Sequence, residues 1–328
     1  LESGIDYLQQ SVAVAPHNLD AQFNLGQALE GSERFEEAIP PYQKVAEIEP
    51  GNVEVHFHLG TIFHSLEQYD NAAKHLRQVI ALMPDHADAH SNLGVALTKL
   101  KEFDEAEISL RKALSLKTED GVTLSNLGIV LKELNRLEES AETHQRAVTL
   151  LPDYAEGHGN LGNTLSQQGL LHEAIEQFDR ALMLNSDIIE IRSSYCLALL
   201  KSGRFKDGWQ EYSTRWNWKG FDHPTRPFEH PHWQGEPLKG KTILVWGEQG
   251  IGDELMFASM FPDLVEQADT VIVETDPRLV PLFQRSFPTI ISVARDNPPD
   301  PTLLDMKIDY QVPSGELCRY LRDDLSDF

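Results

Sequence analysis

Asn24-Leu25-Gly26 returns as His58-Leu59-Gly60, Asn92-Leu93-Gly94, Asn126-Leu127-Gly128 and Asn160-Leu161-Gly162, with each glycine 34 residues after the one before. Other positions keep the same interval. Twelve residues after each glycine stand Ala38, Ala72, Ala106, Ser140 and Ala174, all small. Nineteen after it stand Val45, Val79, Ala113, Ala147 and Ala181. Pro16, Pro50, Pro84 and Pro152 close four of the units, and Thr118 and Ser186 occupy the equivalent places. A fixed interval of this length, with a small residue inside a helical pattern, specifies a helical solenoid.

The unit reads as two helices. Leu29, Phe63, Leu97, Leu131 and Leu165 follow the glycines by three, and with Leu25 and its equivalents they form an i, i+4 apolar stripe that must be buried. Phe35, Tyr69, Phe103, Leu137 and Leu171 open the second helices, usually followed by acid that complements the helix dipole. Glycine inside a helix costs roughly 1 kcal/mol against alanine, so its recurrence implies close helix approach. Period and pattern resemble the tetratricopeptide repeat (TPR). Residues 1–15 read as the second helix of a partial first repeat, and five full repeats begin near Leu19, Val53, Ala87, Gly121 and Ala155. A degenerate sixth begins near Ile189, where Trp209, Tyr212 and Trp216 share one helix face and read as a seam covering the end of the stack.

Composition narrows the function classes. The net charge of −24 repels phosphate backbones and anionic lipid, which argues against nucleic acid and favours a basic or polar partner. No 18-residue apolar run is present, so no membrane insertion is expected. The chain opens on Leu1 without a basic-then-apolar leader, as expected for a segment of a longer, cytoplasmic protein. Cys196 and Cys318 make neither a disulfide framework nor a metal knuckle, and Cys196 falls in the glycine register as a small packing residue. His86, His90, His223, His230 and His232 lack metal-ligand spacing, so no metal is expected.

Residues 222–240, rich in His, Pro and Gly, read as a linker. The period then changes. Thr242–Trp246 is a short apolar strand, Gly247–Gly252 a turn, and Asp253 opens an amphipathic helix. Val271–Val273, Ile290–Val293 and Ile308–Val312 are further strands, with a helix over Pro277–Phe287. Strand and helix in alternation imply a parallel, Rossmann-like sheet. The glycine spacing matches neither the dinucleotide fingerprint nor a P-loop. Asp253 is therefore either the helix N-cap or an exposed carboxylate at the end of the first strand.

The run Trp209–Trp216, then Trp233-Gln234-Gly235, then Glu248-Gln249-Gly250-Ile251-Gly252-Asp253 resembles bacterial proteins that join TPRs to a GT-B glycosyltransferase domain related to heptosyltransferases. The repeats resemble those of O-linked N-acetylglucosamine transferase. The resemblance implies a nucleotide-sugar donor, substrate contacts at Gly250 and Gly252, and Asp253 as the base that deprotonates an acceptor hydroxyl. It also implies a second lobe that holds the donor. These residues do not include that lobe, so this chain alone is expected to be inactive.

Asn24, Asn92, Asn126 and Asn160 share one register on the first helices, which line the concave face of such solenoids. An amide both donates and accepts, and so can grip an extended peptide backbone whatever its sequence. The resembling transferase holds peptides in this way. The alternative is that these amides bridge repeats or face water. The expectation is a mainly α chain: a TPR solenoid over 1–221, a linker over 222–240, and an incomplete Rossmann-like GT-B lobe over 241–328. Its expected partner is a protein or peptide acceptor in the concave face. A non-enzymatic scaffold and a lipid- or polysaccharide-sugar transferase are the competing readings.

Overall fold

The computed structural model describes residues 2–217 and 226–327, so Trp218, Phe221 and His223 lie outside the described residues. It divides into two compact units, Leu1–Leu170 and Leu171–Phe328.

The first unit is a stack of helices: α1 (Glu2–Val14), α2 (Leu19–Glu30), α3 (Phe35–Ile48), α4 (Val53–Ser65), α5 (Tyr69–Leu82), α6 (Ala87–Lys99), α7 (Phe103–Leu116), α8 (Gly121–Glu133), α9 (Leu137–Leu150) and α10 (Ala155–Gln167). First helices begin where the repeat period placed them. Asn18, Asn52, His86 and Asp120 cap α2, α4, α6 and α8 by accepting a backbone N–H three residues on. The turn inside each of these four repeats holds one residue at positive φ: Glu33, Glu67, Lys101 and Asn135. None is glycine, but Gly169 and Gly203 hold the same register at φ 81° and 82° in the next two units, so the repeat alignment marks the turn.

The apolar stripe is the core. Leu25, Leu59, Leu93 and Leu127 are buried with Leu29, Phe63, Leu97 and Leu131, against Ala38, Ala72 and Ala106. The glycines are steric necessities. A Cβ on Gly26 would stand 2.8 Å from the Tyr42 ring, one on Gly60 2.8 Å from Leu76, and one on Gly94 2.4 Å from Leu110. Ser140, in the alanine register, is tolerated because its hydroxyl donates to Gly128 O at 2.7 Å.

Neighbouring units are also fastened by a bond that repeats with them. The side chain six residues after the closing proline donates to that proline's carbonyl: Gln22 Nε2 to Pro16 O at 2.9 Å, His56 Nε2 to Pro50 O at 3.1 Å, His90 Nε2 to Pro84 O at 2.9 Å, and His158 Nε2 to Pro152 O at 3.1 Å. A carbonyl only accepts, so these imidazoles carry their proton on Nε2. Each bond gives a partner to a carbonyl of the turn between repeats, two residues beyond the helix end. Where Thr118 replaces the proline, the partner position is Leu124, which has nothing to donate.

His144 breaks the apolar rule. It fills the site taken by Leu76 and Leu110 in their repeats, is fully buried, and neither ring nitrogen has a hydrogen-bond partner among the described residues. Burial, with a smaller contribution from Lys132, pushes its pKa down to about 4. The folded state therefore holds it neutral while an unfolded chain takes up a proton near pH 6.5. The linked stability is intact above pH 6.5 and declines as pH falls toward 4, by about 3 kcal/mol at pH 4. His144→Leu is expected to raise stability by about 1–2 kcal/mol at pH 7, and its advantage should widen in acid. Parallel melting curves for variant and wild type across this range would contradict that account.

The second unit carries α11 (Leu171–Leu184), α12 (Ile189–Lys201) and α13 (Phe205–Tyr212), which continue the repeat pattern. Arg192 Nε donates to Ser186 O at 3.0 Å, the same fastening with a different donor. Cys196 is buried and its thiol donates to Gly208 O, in keeping with a packing role.

A four-stranded sheet follows. Its strands are β1 (Thr242–Trp246), β2 (Thr270–Thr275), β3 (Ile291–Ala294) and β4 (Tyr310–Pro313), all parallel, in the order β3-β2-β1-β4. Between them run α14 (Ile251–Phe257), α15 (Phe261–Gln267), α16 (Val280–Ser286) and α17 (Pro301–Asp305), and α18 (Cys318–Leu321) closes the unit. The helix expected over Pro277–Phe287 is shorter, and α17 was not foreseen. Ile243, Leu244, Val245 and Ile272 are buried because both faces of the sheet are covered. Phe257, Phe261, Phe283 and Trp233 pack one face, joined by Trp209 and Tyr212. Phe228, Trp246 and Leu303 pack the other, joined by Trp216. The aromatic stripe of the sixth repeat is thus a seam.

Part of the stretch read as a linker belongs to this layer. Trp233 N–H donates to Gln311 O at 2.9 Å, Gln311 N–H donates to Pro231 O at 2.9 Å, and Phe228, Trp233 and Leu238 are buried. Three isolated apolar residues with no period gave the sequence pattern nothing to register.

Candidate functional site

Two places were singled out by sequence: the asparagine register of the repeats, and the turn after β1. In the first unit the first helices form one row, α4 against α6, α6 against α8 and α8 against α10, which makes them the tighter, inner wall of the stack. Asn24 is exposed on this wall, and Asn92, Asn126 and Asn160 are half-buried. The four do not behave alike. Asn160 Nδ2 donates to Ser125 Oγ at 3.2 Å, so this amide bridges two repeats. The amides of Asn24, Asn92 and Asn126 make no hydrogen bond to the chain among the described residues. Ser91 and Thr123, on neighbouring first helices, share a hydroxyl–hydroxyl bond of 2.8 Å beside them.

At the other place, β1 lies between β2 and β4, so the chain reverses its direction of winding there. Open parallel sheets receive ligands in the crevice at the carboxyl ends of such strands. The turn Gly247–Gly250 and helix α14 stand at that end of β1. Helix α14 begins at Ile251 with Gly250 as its N-cap, one turn earlier than the reading of Asp253 as cap or helix start. Glycine has no capping side chain, and the carboxylate three residues on does the work from inside the helix. Asp253 Oδ2 accepts the Gly250 N–H at 3.2 Å, leaving its other oxygen without a partner among the described residues. Gly250 and Gly252 are exposed and lack positive φ, and a Cβ at Gly252 would meet nothing within 4 Å. The fold itself does not require either to be glycine.

The residues just before them face inward. Arg215 is fully buried and forks onto Glu248, with Nη2 to Oε1 at 2.6 Å and Nε to Oε2 at 2.9 Å. Its Nη1 donates to Glu316 at 2.7 Å, and its guanidinium lies 4.5 Å from the Tyr212 ring centre. Burial works against its charge, but the fields of Glu248 and Glu316 outweigh that and raise its pKa. Glu248 Oε1 also accepts the Gly315 N–H at 2.6 Å. Gln249, at φ 63°, donates to Tyr212 Oη at 2.5 Å. Glu254 accepts from the Thr275 hydroxyl and Asp276 N–H and pairs with Arg295, while Arg226 forks onto buried Glu274. Glu248, Gln249 and Glu254 therefore anchor the turn, and Asp253 alone of its acidic residues keeps a half-exposed carboxylate. Sequence reading missed Arg215 as an anchor because its partners lie 33 and 101 residues away.

Among the described residues no cluster of three or more His, Cys, Asp or Glu is placed to hold a metal ion. No helix among them is long and apolar enough to cross a membrane.

Comparison with known proteins agrees with the repeat architecture. Family models described as tetratricopeptide repeat match residues 1–53, 87–120 and 155–188, and one described as TPR repeat matches 60–101. Protein FlbA of Caulobacter vibrioides is 39% identical over 95 residues, 28% of this chain and 16% of that protein, so the match spans about a sixth of the relative's length. Among solved structures, PilW, a type IV pilus biogenesis factor, aligns with a TM-score of 0.55 at 17% identity over 60% of this chain and 91% of its own. The APC/C Cut9–Hcn1 hetero-tetramer aligns with a TM-score of 0.55 at 16% identity over 64% of this chain and 42% of that one. At these identities the likeness concerns the fold. Repeat interval, helix boundaries, buried glycine register and family matches agree, and the chain is a tetratricopeptide-repeat protein.

Proposed function

We propose that the repeats bind an extended polypeptide along the row of first helices. The observation that carries this reading is the set of amides at Asn24, Asn92 and Asn126, held in register on the inner wall without bonds to the chain among the described residues. Asparagine is a mediocre helix former, and an amide with unused donor and acceptor matches a peptide group in both. Asn92→Ala with Asn126→Ala should weaken capture of a bound peptide at least tenfold, about 1.4 kcal/mol, with helicity unchanged by circular dichroism. Full affinity in the double variant would dismiss the amides as the grip.

The turn after β1 favours a finer reading. We infer from the sequence resemblance to GT-B glycosyltransferases that the sheet serves as an acceptor-side lobe; in support, Asp253 combines a half-exposed carboxylate with two glycines that leave room beside it. In this reading the repeats hold a protein acceptor, Asp253 takes the proton from its hydroxyl, and a nucleotide-sugar held elsewhere in the full-length protein is the donor. Asp253→Asn keeps the cap to Gly250 and removes the base. In the full-length protein it should lower sugar transfer by about 10²–10⁴-fold while peptide binding stays at its wild-type value. Undiminished transfer would exclude Asp253 as the base. Peptide binding with no transfer from any nucleotide-sugar would leave the chain a scaffold.

A further inference from the structure

The five full repeats are internal controls for one another, and at one place three registers depart together. Three residues before the glycine stand Phe23 and Phe57, but Ser91, Ser125 and Gly159 in the later units. Two before it, His58 interrupts the asparagines. Four after it, the first unit has Glu30, where the others have His64, Thr98, Lys132 and Ser166. The same backbone packs with serine or glycine in the later repeats, so repeat geometry does not demand an aromatic ring at 23.

These departures meet in space. Glu30 Oε2 accepts from Tyr42 Oη at 2.8 Å and lies 2.8 Å from His58 Nδ1. The His58 ring stacks on Tyr42 with centres 5.1 Å apart, and Phe23 meets both edge-on at 5.7 and 5.8 Å. Glu30 and His58 each keep about a quarter of their side-chain surface open (23% for both), and Phe23 is half-buried. Glu30 Oε1 makes no hydrogen bond among the described residues. Although burial opposes it, bonding from His58 and Tyr42 holds the Glu30 carboxyl below its usual range, so it is charged. Exposed Glu54 adds negative charge near Tyr42. Farther along the wall, Ser91–Thr123 and Asn160–Ser125 bonds use the equivalent surface for joining repeats.

We propose that the inner wall of the first two repeats is a pocket for one arginine side chain of the bound polypeptide. This rests on the polypeptide-binding reading above. A guanidinium can lie against the Phe23 ring while its N–H groups reach the open oxygen of Glu30. Charge complementarity selects this occupant: the pocket offers carboxylates and ring faces, and the chain as a whole carries −24.

The test is selection of random dodecapeptides on the full chain, followed by affinity measurement. Arginine should be enriched at one position, and replacing it with isosteric, neutral citrulline should weaken binding to wild type about tenfold. With Glu30→Gln, which keeps an acceptor for Tyr42, or Phe23→Ser, which installs the residue of the third repeat, the citrulline and arginine peptides should bind within about twofold of each other. Selected peptides without a basic preference, or a citrulline effect that survives both variants, would overturn the pocket alone. If nothing is selected by wild type, the polypeptide-binding reading fails and the pocket with it.

Discussion

Arg215→Ala is expected to destabilise the C-terminal unit by about 3–5 kcal/mol, the largest effect of any single substitution considered. Removing the guanidinium leaves Glu248, whose side chain is 0% exposed, and Glu316, at 6%, as buried carboxylates without a counter-charge. It also frees the turns after β1 and β4, which Glu248 ties together through Gly315. All five tryptophans fall after residue 208, in this unit, so intrinsic fluorescence in a urea titration reads it selectively. Circular dichroism follows the helices of the first unit in the same samples. Arg215→Lys keeps the charge but loses the fork and should fall between wild type and alanine. An unchanged fluorescence midpoint for Arg215→Ala would show that the buried pair carries no weight.

Gly94→Leu should cost the first unit about 3 kcal/mol. Leucine is the better helix former by close to 1 kcal/mol, so propensity alone predicts a gain. Packing reverses the sign. Even a methyl group at 94 would sit 2.4 Å from Leu110 Cγ and 3.3 Å from Ala106 O, and the backbone oxygen cannot turn away. Overpacking of this kind costs about 1–3 kcal/mol, occasionally more, and a branched side chain adds to the clash. Thermal unfolding followed by circular dichroism measures it. A melting temperature equal to wild type would mean that α6 and α7 separate more easily than their contact suggests.

The repeats were legible because one physical demand, close helix approach, recurs at a constant interval and is met each time by a small residue. Gly94, Ala106 and Leu97 could be assigned from spacing alone. The strand Thr242–Trp246 was equally plain, as a continuous apolar run with both faces buried. What escaped were interactions without a period or without a residue-type signal. Gly250 caps α14 with no side chain, and the residue types point instead to Asp253 three residues later. Glu33 and Lys101 occupy left-handed turns that glycine marks only further along the same register, at Gly169 and Gly203. The pairing of Arg215 with Glu248 joins residues that nothing in the sequence connects. The bond from His56, His90 and His158 to the proline carbonyl was visible in principle, as a donor recurring six residues after Pro50, Pro84 and Pro152.

That bond has a mechanical consequence. In a linear array, load passes through every joint in series, and the array yields at the joint with the fewest ties. The joint at Thr118 and Leu124 lacks this donor and is tied instead by the Ser91–Thr123 bond at 2.8 Å and by exposed ion pairs of Arg111 with Glu139 and of Arg136 with Glu107. Because salt screens exposed ion pairs, raising ionic strength is expected to loosen this joint while the uncharged proline latches elsewhere hold.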